Sequence, residues 1–138
     1  MSAAIENLIP HRPPMCWIKT LDECTATTAT ATACFGENDF AVVEGKVLET
    51  ALVECVAQTV AAALGQRALT HGKSDFAVAA TGMLVAVSNF KILLRPPAGK
   101  TLRIEIRELK RLGLMLRVAG DISCDGQQVA AGELTLYA

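Results

Sequence analysis

A chain of 138 residues, 51 % apolar and 20 % charged, has the size and balance of one soluble globular domain, long enough to bury about two thirds of its unfolded surface. Its formal net charge of −1 gives no electrostatic attraction for nucleic acid or for an anionic membrane. Five scattered cysteines without a CxxC spacing fit a reduced, cytoplasmic protein, and two distant histidines, His11 and His71, argue against a zinc site.

In chain order, residues 2–8 can form a short helical turn, which Pro10 stops. Pro10, Pro13 and Pro14 then force the segment IPHRPPM along an extended, rigid path. Residues 15–20, with Trp17 and Ile18, read as a first strand. Residues 24–35, CTATTATATACF, alternate threonine and alanine almost strictly, a period of two with β-branched residues on one side. This predicts an outer strand whose alanines let a helix come close. Gly36-Glu37-Asn38-Asp39 is turn chemistry, and residues 40–46 form a loop with Gly45 near its end.

Residues 47–70, VLETALVECVAQTVAAALGQRALT, hold no proline and one late glycine, Gly65. Strong helix formers fill most positions, and apolar residues occupy nearly the whole circumference over 51–64. A helix apolar all round is a buried one. At its usual rise it spans roughly 36 Å, enough to run through the middle of the fold. Glu54 and Gln58 interrupt it, so it does not read as a membrane span, and no basic-plus-apolar signal opens the chain. Ala57, Ala61, Ala62 and Ala63 leave room for a tunnel. Thr70-His71-Gly72-Lys73-Ser74 is a polar terminator, in which His71 complements the helix dipole.

Residues 82–94, 100–110, 114–124 and 128–138 read as four further strands, separated by Pro96-Pro97-Ala98-Gly99, Leu112-Gly113 and Asp125-Gly126. Leu102, Ile104 and Ile106 alternate with Arg103, Glu105 and Arg107, giving one buried and one wet face. Two strands, a long buried helix and a meander of four strands predict an α+β hot-dog fold over residues 1–138. One antiparallel sheet curls around one central helix, and its open edge strand is closed by pairing into a dimer.

Three segments resemble a known family. LIPHRPPMCWI (8–18) is similar to the opening of 3-hydroxyacyl-carrier-protein dehydratases of the FabZ kind. LVECVAQTVAA (52–62) resembles their central-helix motif, an acidic residue followed after three positions by glutamine. GMLVAVSNFKILLRPPAGKTLRIEI (82–106) resembles the strands that follow, with their proline-glycine turn. In detail the chain is most similar to the divergent ApeP-like dehydratases of aryl-polyene pigment clusters. The resemblance implies loss of water from a 3-hydroxyacyl thioester, carried on acyl-carrier protein or coenzyme A in fatty-acid or polyketide biosynthesis, by a dimer that uses no cofactor.

In that family a loop histidine, fourteen residues before the helix acid, takes the α-proton, the acid serves the leaving hydroxyl, and two chains contribute the pair. Here that position is Phe40, the loop reads NDFAVVEGK (38–46), and no histidine lies between His11 and His71. The resemblance therefore covers the acid, Glu54, and not the base.

Burial raises a carboxyl's pKa and lets it hold a proton near neutral pH, which suits Glu54 to acid work; the plainer reading is a carboxylate paired with an arginine or a backbone amide. Gln58, at i+4, either orients Glu54 or satisfies a backbone group of a neighbouring strand. The helix start offers free N–H groups to a thioester carbonyl, as any helix does. His11 is a candidate base or an anchor of the N-terminal arm, the family's equivalent histidine not being the catalytic one. Asp39 is a substitute base or a turn cap. Arg95, Lys100, Arg107, Lys110 and Arg111 either meet an acidic carrier protein or are solvated.

Three functions follow. The chain is a dehydratase whose Glu54 is the acid and whose base comes from another hot-dog chain, in a homodimer or heterodimer. It is a non-catalytic partner of such an enzyme. Or it is a hot-dog thioesterase in which the helix carboxylate activates water.

Overall fold

The computed structural model describes residues 4–71 and 83–137. Ser2, residues 72–74 of the polar terminator, Gly82 and Ala138 lie outside them. A 3-10 turn at Ile5–Asn7 opens the arm, followed by β1 (Ile18–Cys24), β2 (Thr28–Cys34), β3 (Val42–Val43), β4 (Lys46–Val47), the helix α1 (Glu49–Thr70), β5 (Met83–Ile92), β6 (Thr101–Leu112), β7 (Met115–Cys124) and β8 (Gln127–Tyr137). Six strands form one antiparallel sheet in the order β1-β2-β6-β7-β8-β5, curled around α1.

The threonine–alanine alternation is the burial pattern of β2. Ala29, Ala31 and Ala33 turn inward, at most 2 % exposed, and the threonines take the other face. The strand is shorter than predicted because Thr25 Oγ1 accepts the Thr27 and Thr28 N–H groups and makes residues 25–27 a turn. Nor is it an outer strand: it lies second, between β1 and β6.

Helix α1 starts two residues later than the sequence predicts, because Val47 pairs with Val42 in the small β3–β4 hairpin. The meander holds for β6, β7 and β8, where Asp125 and Gly126 both take positive φ (52° and 78°), the requirement of a two-residue type I′ turn. Strand β5 breaks it. The segment after β5 bonds Gly45, Val47 and Phe35 through Ala98 N, Pro96 O and Gly99 N, so the chain crosses over and leaves β5 beyond β8.

Inside the curl, Leu52, Val56 and Val60 of α1 meet Leu102, Ile104, Leu116, Val118, Ile122 and Leu134, all at most 1 % exposed. Each contributes about 1.5–3 kcal/mol of burial. The arm packs on the helix at Gly65, where any Cβ would stand 2.5 Å from the Leu8 carbonyl oxygen. On β5, the last strand of the sheet among the described residues, Met83, Val85 and Val87 are 64 %, 51 % and 47 % exposed. Among the described residues, no helix is long and apolar enough to cross a membrane.

Candidate active site

Gln58 is fully buried, and the segment before β1 fixes its amide. Its Oε1 accepts the N–H groups of Trp17 (3.0 Å) and Ile18 (3.4 Å), and its Nε2 donates to the Met15 carbonyl (2.7 Å). Only an oxygen accepts and only an NH2 donates, so the backbone assigns the amide's orientation. Residues 15–17 thus bond to the helix instead of to a strand, which is why β1 begins at Ile18. The second Nε2 proton goes to Glu54 Oε2 at 3.0 Å. Gln58 satisfies the backbone and orients Glu54 at the same time.

His11 arrives from the arm. Arg12 fastens that arm by donating to the carbonyls of Glu6 (3.0 Å), Ile9 (2.9 Å) and His11 (2.8 Å). His11 Nε2 then stands 3.3 Å from Glu54 Oε2, the oxygen Gln58 already holds. The other ring nitrogen, Nδ1, is buried without a hydrogen-bond partner among the described residues. Glu54 Oε1 accepts no hydrogen bond from the described residues. Both side chains are 32 % exposed, so the full burial that the sequence predicts for Glu54 is not found. The carboxyl sits where the core meets solvent. The next residue, Cys55, is fully inside, and burial, with Glu54 beside it, pushes its thiol well above the ordinary range.

The structure brings His11, Glu54 and Gln58 together and gives Asp39 other partners. Asp39 Oδ1 accepts from Trp17 Nε1 (3.4 Å) and from Ala41 N (3.1 Å), so it caps its turn and steadies the indole. The Trp17 ring packs against Phe35 and Phe40, each 5.5 Å away between centroids. Phe40, at the position that the FabZ resemblance gives to a histidine, is 56 % exposed.

Of the residues read as solvated or open, Arg95 is engaged, whereas Lys100 and Arg111 stay solvated beside a carboxylate. Arg95 donates to the carbonyls of Val43, Lys46 and Val47, each at 3.0 Å, and lies 3.8 Å from Glu49, locking the β3–β4 hairpin to the helix start. Lys100 pairs with Asp125 at 3.3 Å, and Arg111 lies 3.8 Å from Glu108. His71 donates from Nδ1 to the Arg67 carbonyl at 2.7 Å. The helix start carries no side-chain cap. Ala62 and Ala63 are consumed in the core. A groove of about 910 Å³ lies on the wet face of the sheet, between Lys91, Arg103, Arg107, Glu105, Asp121 and Glu133, away from Glu54. Among the described residues, no three His, Cys, Asp or Glu gather as metal ligands would.

Comparison with known proteins agrees with this architecture. Among curated proteins, no sequence matches the chain. A chain of the dehydratase heterocomplex ApeI:P from Xenorhabdus doucetiae superposes with a TM-score of 0.89 at 19 % identity, over 99 % of this chain and 91 % of that one. A hypothetical thioesterase solved with coenzyme A from Streptococcus pneumoniae TIGR4 gives 0.66 at 13 % identity, over 86 % and 83 %. Thioesterase superfamily member 2 of Mus musculus gives 0.63 at 15 %, over 84 % and 78 %. These likenesses give the hot-dog fold. Residues 3–138 match the ApeP-like family, described as ApeP dehydratase, and the chain is a hot-dog protein that belongs to that family.

Proposed function

We propose that this chain supplies the acid half of a two-chain dehydratase. A base on the partner takes the proton from the α-carbon of a 3-hydroxyacyl thioester, and the electron pair forms the double bond to the β-carbon. The β-carbon–oxygen bond breaks as Glu54 gives its proton to the departing hydroxyl, which leaves as water. The product is the trans-2-enoyl thioester. Glu54 carries this reading, being oriented from beneath by Gln58, open to solvent, and free at one oxygen. The uncapped helix start can add N–H groups facing the thioester carbonyl.

The need for a partner has three supports. Phe40 stands where FabZ-kind dehydratases carry their loop histidine, so two copies of this chain place no loop base beside Glu54. Among the described residues, strand β5 presents an unpaired edge with exposed apolar residues, the surface a second hot-dog chain would continue. The chain resembled most fully among the structures above is part of a dehydratase heterocomplex. We assign the substrate to an acyl-carrier protein, the pathway to aryl-polyene-type synthesis, and the place of work to the cytoplasm, the last supported by five free cysteines.

The test is to co-express the chain with a histidine-bearing hot-dog partner and follow a 3-hydroxyacyl thioester by mass. Dehydration by the pair, lost on Glu54→Ala, is the expected result. Full activity of the Glu54→Ala pair makes this chain a non-catalytic subunit. Release of free thiol, with no enoyl product, makes it a thioesterase.

A further inference from the structure

We propose that Glu54 holds its reactive proton on Oε1, and that His11, together with Gln58, assigns it there. The inference rests on Glu54 being the acid. Gln58 can only donate toward Glu54, because its own oxygen is taken by the Trp17 and Ile18 N–H groups. Oε2 is therefore an acceptor. His11 Nε2 stands 3.3 Å from that same oxygen. A hydrogen on Nε2 makes the contact attractive, whereas a bare Nε2, which could only accept a proton from Oε2, would put the ring hydrogen on Nδ1, buried with no acceptor among the described residues. Neutral His11 is thus the Nε2–H tautomer, its bare Nδ1 turned into the protein and sealed from solvent. With two donors on Oε2, that oxygen becomes the carbonyl-like end of the carboxyl. The proton resides on Oε1, which meets no donor among the described residues. When Oε1 gives up its proton, both donors remain to hold the charge that forms.

The same arrangement removes His11 from the base's role. A general base needs a bare atom within reach of the proton it takes. The bare nitrogen of His11 is buried, and the other carries a hydrogen aimed at Glu54. His11 is a positioning residue.

Two measurements test this. The full chain is labelled with ¹⁵N-histidine, His71 is assigned through His71→Gln, and the two-bond ¹H–¹⁵N couplings report the tautomer of His11. The Nε2–H form is expected, unchanged in Glu54→Gln, whose amide oxygen takes the place of Oε2. An Nδ1–H form overturns the proposal. In the two-chain enzyme, His11→Gln keeps a donor near Oε2 and is expected to hold kcat within about tenfold, with KM unmoved, while His11→Ala loses about 10–100-fold. Equal losses of about 10²–10⁴-fold in both variants would make His11 the base and overturn it. The tautomer is read whether or not the chain dehydrates anything, so failure of the reaction leaves this test intact.

Discussion

Near its C-terminal end, α1 meets a carboxylate through Arg67, which donates from Nη1 to Glu108 Oε2 and from Nε to the Thr25 carbonyl, both at 2.8 Å, with the paired side chains at most 20 % exposed. Near the other end, Glu54 is 32 % exposed and both of its neighbours, an amide and an imidazole, fall on a single oxygen. A fixed guanidinium meets charge with charge and straps β6 and the β1–β2 turn to the helix. An amide aims an oxygen without neutralising it. The two carboxylates differ in the chemistry of their partners: Glu108 is braced by an opposite charge, and Glu54 is aimed through one oxygen, in keeping with the proposed acid role.

The contrast breaks if the two exchange consequences. In the proposed two-chain enzyme, Glu54→Gln is expected to lower kcat by about 10²–10⁴-fold while shifting stability by less than about 0.5 kcal/mol, read by steady-state kinetics and urea denaturation. Gln58→Leu strands the Trp17 and Ile18 N–H groups and the Met15 carbonyl, and is expected to cost about 2–4 kcal/mol in the same denaturation experiment, with activity falling as Glu54 loses its guide. Glu108→Gln leaves the partly buried Arg67 without its anion, at a cost of about 1–3 kcal/mol, with kcat unchanged. Loss of activity in Glu108→Gln with no loss of stability would erase the distinction.

The smallest effect is a pH slope. Folding pushes the Cys55 thiol up, chiefly by burial, so the folded chain keeps a proton where the unfolded chain releases it. Stability is therefore unaffected well below the unfolded thiol pKa of about 8.5 and falls as pH rises past it, by up to about 1.4 kcal/mol per unit from this residue. Cys16 and Cys124 are raised too and add in the same direction. Denaturation at several pH values should show a shallower alkaline slope in Cys55→Ala than in the unaltered chain. Equal slopes would mean that Cys55 is not sealed.

Much of the fold is readable from local patterns: the all-round apolar helix, the Thr-Ala strand and the Asp125-Gly126 hairpin each depend on neighbours in sequence. The crossing of β5 is not, because it follows from bonds between the Pro96–Gly99 segment and Phe35, Gly45 and Val47. The site divides in the same way. Glu54 and Gln58 stand out as polar breaks in an apolar helix. The meeting of His11 with Glu54 depends on Gly65 admitting Leu8 and on Arg12 fastening the arm, contacts between parts of the chain with no periodicity to link them. The bonds that cut β1 short at Ile18 come from Gln58, 41 residues away from Trp17.

An unpaired apolar edge adds whatever extended chain reaches it first. Strand β5, with Met83, Val85 and Val87 open, is such an edge among the described residues. Beside a partner synthesised in step, that addition is assembly; beside a shortfall, it is precipitation. If the proposed partner pairs at this edge, the yield of soluble protein should rise with the dose of that second chain, and a cell making both would have to match their rates of synthesis.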